Sequence, residues 1–138
     1  SLLNTFKQHG QAILLGTGSF WEGVDVQGQA LSCVAIDRLP FANMTEPLMA
    51  GKMRYMKQLG REPFDTIQLP QAIIALKQGV GRLIRTEKDC GVLIIGDPRL
   101  VARNYGADIK KSLPPMPWTR SLDKVLSFIK ERVLETVE

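Results

Sequence analysis

The apolar residues gather into three runs of four: Ala12-Ile13-Leu14-Leu15, Cys33-Val34-Ala35-Ile36 and Val92-Leu93-Ile94-Ile95. Each run is too short for a helix and has no polar residue at alternate places, the pattern of strands buried on both faces of a parallel sheet. Loop-forming or polar residues follow each one: Gly16-Thr17-Gly18-Ser19, Asp37-Arg38 and Gly96-Asp97-Pro98. Ligands of open parallel sheets bind beyond the carboxyl ends of the strands, so the functional residues are expected at that edge.

Between the second and third runs the apolar spacing changes to that of helices, over about residues 47 to 59 and 69 to 85, with Gly60-Arg61-Glu62-Pro63 as a break. These helices supply the crossover that two parallel strands need. Leu113-Pro114-Pro115-Met116-Pro117 cannot be helical and reads as a stiff spacer. Ser121 then reads as the N-cap of a last helix, whose stripe of Leu122, Val125, Leu126, Ile129, Val133 and Leu134 is expected to pack back onto the domain. Only three strands are visible, and residues 3 to 8 look like the tail of a helix. A doubly wound sheet commonly has five or more strands, so the chain is expected to be a fragment of a larger α/β enzyme.

Composition narrows this only a little. The 138 residues are 44% hydrophobic, enough for one core. No apolar run approaches the roughly 18 to 20 residues that span a bilayer, and the first residues lack the apolar core of a signal peptide, so a cytoplasmic protein is expected. Cys33 and Cys90 suggest neither a metal cluster nor a disulfide framework. The net charge of +4 permits a polyanionic partner, although Lys52, Arg54, Lys57, Arg99, Arg103, Lys110 and Lys111 form no block. His9, the single histidine, lies in a Gln-His-Gly turn with no catalytic company.

The chemistry concentrates in Gln78-Gly79-Val80-Gly81-Arg82-Leu83-Ile84-Arg85. At about 100° per residue, Gln78, Arg82 and Arg85 fall within an arc of about 60°, opposite Leu69, Ala72, Ile73, Leu76, Val80, Leu83 and Ile84. Such a face presents an amide and two guanidiniums together. Gly79 and Gly81 each cost roughly 1 kcal/mol relative to alanine inside a helix, which suggests a close approach to the backbone. Arginine suits a phosphoryl site because its planar fork donates to two oxygens and keeps its charge. A solvated basic face has the same pattern, and the octapeptide alone leaves both readings open.

The first loop, Gly16 to Asp25, carries glycines and small polar residues able to bring N–H groups to an anion, but it lacks the lysine and spacing of a P-loop and does not match GxGxxG. Glu22 and Asp25 suit an arginine, a ribose hydroxyl or a metal-bound water. Phe20 and Trp21 read as core.

Taken in order, Gly16-Thr17-Gly18-Ser19-Phe20-Trp21-Glu22-Gly23-Val24-Asp25-Val26-Gln27-Gly28, Leu39-Pro40-Phe41 and the octapeptide resemble motifs V and VI of superfamily 2 DNA helicases. More narrowly they are similar to the XPD-like branch that holds the DinG/YoaA family, with Gly91 to Leu100 and Tyr105-Gly106 nearest the YoaA side. The resemblance implies a three-layer RecA-like domain with a mainly parallel sheet, incomplete here. Residues 1–113 would be the C-terminal part of the second motor domain of an ATP-dependent 5′–3′ helicase in DNA repair or replication, and 114–138 a proline spacer and a helix packing on it. It also implies that Arg82 and Arg85 reach the γ-phosphate, with Arg85 as the finger, that Gln78 couples the nucleotide to closure with Gly79 as a further nucleotide-binding position, and that Glu22, Gly23 and Asp25 link nucleotide to DNA. Ser19, Arg38, Pro40 and Phe41 become candidate DNA contacts. ATP and Mg2+ would be held mainly by a first motor domain of the same polypeptide, which would also carry the family's iron–sulfur cluster. The implied partners are single-stranded or forked DNA and, through the last helix, a replication clamp-loader subunit. The competing reading is an interaction module without activity of its own.

Overall fold

The computed structural model describes residues 1–18, 26 and 30–134. Two strands, β1 (Cys33–Ile36) and β2 (Val92–Ile95), pair in parallel with Cys33 opposite Val92 and Ile36 opposite Ile95. Between them run α2 (Pro47–Gln58) and α3 (Leu69–Leu83), the latter entered through a wider π-type turn at Phe64–Gln68. Before β1 stands α1 (Leu2–His9), and after β2 come α4 (Arg99–Ala102), α5 (Tyr105–Ser112) and α6 (Leu122–Phe128), which continues in π-type turns over Ile129–Leu134. The fold is α/β with a small parallel sheet, and α3 is the helical crossover expected between its strands.

The caps follow local chemistry. Ser1 accepts the N–H of Asn4 at 3.4 Å and Ser121 that of Lys124 at 3.4 Å, each satisfying an orphan donor of a first turn. Pro47 opens α2, where a missing N–H costs nothing, and Gly60, at φ 71°, ends the turn after it in a conformation that side chains disfavour.

The core lies on one side of the sheet. Ala72, Leu76, Val80 and Leu83 recur along α3 at helical spacing and are buried, and Leu76 and Val80 join Leu39, Leu100, Ile109 and Leu113. Ile36, Leu93 and Ile95 point into this cluster, while Cys33, Ala35 and Ile94 are exposed. The strands therefore have one covered face among the described residues, and not two as their apolar runs suggested. Alternation is present in space but invisible in sequence, because the outward positions are apolar too. Gly106 has a packing reason of its own: a Cβ there would run into the backbone carbonyl of Leu100, so only glycine lets α4 and α5 meet at that corner.

Three expectations are corrected. Ala12 to Leu15 is not a strand: residues 12–17 have no regular structure, and Ile13 and Leu15 are 89% and 88% exposed. Four apolar residues favour a strand only where a ladder partner accepts their backbone, and this run has no place in the β1–β2 ladder. Second, the helix of the octapeptide ends at Leu83 and not at Arg85, with Ile84 extended at φ −119°, ψ 105°. Asp89 is the cause, since its carboxylate takes the N–H groups of Arg85 and Thr86 at 2.9 and 2.8 Å and offers the backbone a turn in place of a further helical one. Third, the stripe of the last helix is not wholly packed: Leu122 is 68% and Leu126 45% exposed, while Val125 and Ile129 are half-buried. The proline segment is non-helical as expected, yet it is no free spacer. Leu113 is buried, Met116 packs against the core, and the ammonium of Lys110 lies 5.2 Å from the ring centre of Trp118. Among the described residues no helix is long and apolar enough to cross a membrane.

Candidate functional site

Gln78 and Arg82 stand four residues apart on α3, hence on adjacent turns of one face. Gly79 beside them is buried, and together with the half-buried Arg82 it lines a cavity of about 680 Å³, open to solvent, whose other walls include Phe6, Gly16, Thr17 and Val34. An arginine and a buried glycine thus line one hollow, a pairing of residue types that suits an anion. Gly81 differs from Gly79: it is exposed, and a Cβ built on it would meet nothing within 4 Å.

Arg85 does not share the 60° arc with Gln78 and Arg82. It lies two residues beyond the helix end, exposed, with its backbone held by Asp89. The N–H of Arg85, that of Thr86 and, last, the charge of Arg85 hold the Asp89 carboxyl below the ordinary carboxylate value. Arg85 thus sits on a short turn whose geometry is set by hydrogen bonds rather than by helix.

The residues after β1 form a second group. Arg38 is exposed, Pro40 half-buried, and Phe41 is tied into an aromatic cluster: 5.6 Å from Phe64, 5.7 Å and edge-on from Tyr105, with Phe64 and Tyr105 5.0 Å apart. The Arg99 guanidinium covers the Phe41 ring at 5.1 Å. Phe41 therefore already has three packing partners, and Arg38 is the side chain of this group that reaches solvent. Ser19, Glu22, Gly23 and Asp25 lie outside the described residues.

One pair went unremarked as a site in the sequence. Asp97, 4% exposed, accepts the N–H of Leu39 at 2.8 Å and that of Arg99 at 3.0 Å, and its two oxygens take the Arg99 guanidinium at 2.6 to 3.0 Å. Hydrogen bonding to Arg99 first, then to the two backbone N–H groups, drives its carboxyl far below the ordinary range against the opposing effect of burial, and raises Arg99 in turn. The only signal was an Asp-Pro-Arg spacing at a strand's carboxyl end. Its partner Leu39 is 58 residues away and could not be read from it.

The two groups occupy opposite edges of the sheet. Leu83, at the end of α3, lies against Gly91 and near Ser32, just before the two strands begin, whereas Gly96 N–H bonds Ile36 C=O at 2.8 Å where both strands end. The carboxyl edge carries Arg38 and Asp97, and the amino edge carries Arg82 and the turn of Arg85. Four-residue strands separate them by roughly 13 Å. The polar residues after the strands were expected to mark the functional edge, and α3 carries its arginines to the other one.

Comparison with known proteins bears on what such a two-edged unit belongs to. The family model described as the helicase C-terminal domain matches residues 1–116. The ATP-dependent DNA helicase YoaA of Escherichia coli is 52% identical over 128 residues, 93% of this chain, and that of Haemophilus influenzae 51% identical over 131 residues, 95% of it. The 3′-5′ exonuclease DinG of Bacillus subtilis is 43% identical over 125 residues, 91% of the chain. The chain spans about 20% of the length of each YoaA relative and 13% of that DinG. On these grounds the chain belongs to the helicase C-terminal domain family, in its DinG/YoaA branch.

Proposed function

We propose that residues 1–113 are the C-terminal part of the second, RecA-like motor domain of an ATP-dependent DNA helicase that moves 5′ to 3′ on single-stranded or forked DNA, with residues 114–138 its proline segment and closing helix. The observation that carries this reading is that Arg82, one turn from Gln78, lines the cavity together with Gly79. The role is that of a half-site: the arginines face the γ-phosphate of an ATP whose remaining contacts come from another domain. Charge that develops as the phosphoryl group departs is met by a guanidinium fork, and such a finger contributes on the order of 10³ to 10⁵ in rate.

The arginines suit phosphate. Among the described residues no three His, Cys, Asp or Glu side chains come together, and Cys33 and Cys90 are two of the four an iron–sulfur cluster takes. Mg2+, which would offset charge between the β- and γ-phosphates, and the cluster are assigned to a first motor domain of the full-length, cytoplasmic repair helicase. Glu22, Gly23 and Asp25, following the cavity residues Gly16 and Thr17, connect nucleotide to DNA on this reading. Ser19, Arg38, Pro40 and Phe41 form the DNA side.

In the full-length helicase, Arg85→Ala is expected to lower DNA-stimulated ATP hydrolysis by about 10³ or more while ATP affinity changes little, because the finger acts mainly in the transition state. Near-normal turnover would remove the finger from Arg85. Residues 1–138 alone are expected to hydrolyse no ATP, and DNA-stimulated turnover by them would refute the half-site.

A second reading concerns the last helix, where Leu122 and Leu126 are exposed on one stripe. That face docks the helicase on a partner such as a replication clamp-loader subunit, and a pull-down that survives truncation at Pro117 would dismiss it.

A further inference from the structure

We propose that Asp97 and Arg99 form a latch that fixes residues 37 to 42 in their DNA-engaging conformation, so that both act as positioning residues for DNA binding without touching DNA. The inference rests on the DNA-contacting reading of Arg38 above and adds to it the device that aims that side chain.

The latch grips the loop at two points. At the first, the Asp97 carboxylate takes the backbone N–H of Leu39 at 2.8 Å, which places the residue directly after Arg38. At the second, the guanidinium held by that carboxylate lies 5.1 Å over the Phe41 ring. Pro40, with its ring-fixed φ, joins the two points, and Phe41 N–H closes back on Leu39 C=O at 2.8 Å. Arg38 leaves this clamp immediately upstream and is exposed, so its direction is set by the backbone that Asp97 holds.

Stability alone does not call for such a pair. Leu39 is already 4% exposed within the core cluster and secures the loop by burial. A carboxylate at 4% exposure gives up hydration to be there, and an ion pair in that position contributes geometry where an apolar pair contributes as much energy. The geometry is specific to arginine: the fork meets both Asp97 oxygens and its flat face lies on Phe41, and a lysine can do one of these but not both. Arg99 is itself partly exposed, so a direct contact with a DNA phosphate is the rival account, and additivity separates the two.

The test uses the full-length helicase and a fluorescent oligo(dT), read by anisotropy. Arg38→Ala and Arg99→Lys are each expected to raise the Kd for DNA by roughly fivefold or more, and the double variant to be no weaker than the weaker single, because the latch acts through the loop that Arg38 ends. The KM for ATP stays unchanged in all three. Ile109→Val, a change in the core cluster that also holds Leu39 but leaves the Asp97–Arg99 pair intact, lowers the thermal midpoint but leaves the DNA Kd in place, which separates aiming from general loosening. If Arg38→Ala weakens binding and Arg99→Lys does not, the latch is overturned and the DNA-side reading stands. If the two effects add, Arg99 touches DNA itself and the latch is again overturned. If Arg38→Ala has no effect, the DNA-side assignment of Arg38 fails, and the latch as stated fails with it.

Discussion

Two aspartates in this chain make the same local move at opposite edges of one sheet. Asp89 takes the backbone N–H groups of Arg85 and Thr86, and Asp97 takes those of Leu39 and Arg99. Asp89 lies in a turn at the surface, within its own stretch of chain, next to an exposed arginine. Asp97 is buried, reaches across 58 residues, and has its guanidinium partner locked by both oxygens. The same acceptor thus shapes a local, exposed turn in one place and pins two distant elements in the other. Water competes for the first and is excluded from the second, which is why the same two backbone hydrogen bonds do not give equal stabilisation. Asp89 holds only the backbone at its arginine, whereas Asp97 holds both the backbone and the guanidinium of its own.

The largest test of this contrast is enzymatic. In the full-length helicase Arg82→Ala is expected to reduce ATP turnover on the order of 10³-fold, as is expected of Arg85→Ala, although one arginine stands on a helix and the other on the Asp89 turn. Steady-state kinetics at saturating DNA measures it. A variant of Arg82 with full turnover would confine the phosphoryl contact to the turn and make the cavity beside Gly79 irrelevant to chemistry.

Next in size is stability. Asp97→Ala strands the buried N–H of Leu39 and releases Arg99, for an expected loss of about 2 to 3 kcal/mol in urea unfolding of the chain. Asp89→Ala, in the open turn, is expected to leave the unfolding midpoint nearly where it was while changing the setting of Arg85. Equal midpoints for the two variants would mean that burial does not distinguish the aspartates.

Acid gives the same comparison without mutation. Both carboxyls are held below their ordinary value of 3.8, so each contributes stability that is complete above about that pH and is lost as pH falls through the lower folded value. The chain is therefore expected to keep a constant contribution from Asp97 between pH 7 and 5 and to lose it below about 3.8. Asp97→Asn should flatten that acid limb, and an unchanged limb in the variant would assign the loss to other carboxyls.

What the sequence disclosed, and what it hid, divides along the same line. The face of α3, with Ala72, Leu76, Val80 and Leu83 at helical spacing, was legible because periodicity is a local property, and so was the Ser121 cap. The end of that helix was not, because the side chain that stops it comes six residues after Leu83 and acts by capturing N–H groups. The arc that joined Arg85 to Gln78 and Arg82 was ideal-helix geometry extended two residues too far. Ala12 to Leu15 had the composition of a strand without the pairing partner that makes one. Asp97 was visible as a polar residue at a strand end, but its meaning resides in Leu39 and Phe41, which only the folded chain brings near. The resemblance in motifs V and VI pointed to the family where geometry alone left a solvated face favoured over a phosphate grip.

The smallest effect offers the sharpest separation of fold from function. Gly106 is enforced by packing, since a Cβ there collides with Leu100, but Gly81 on the arginine helix has open space around it and no positive φ. If helix stability alone governed this position, alanine would be better by about 0.5 to 1 kcal/mol. Gly81→Ala is accordingly expected to raise the unfolding midpoint of the chain slightly and, on the proposed half-site reading, in which a nucleotide or facing domain approaches that stretch of backbone, to lower ATP turnover of the full-length helicase. A gain in stability with turnover intact would make Gly81 dispensable to the site and leave Gly79, the buried one, as the position where close approach matters.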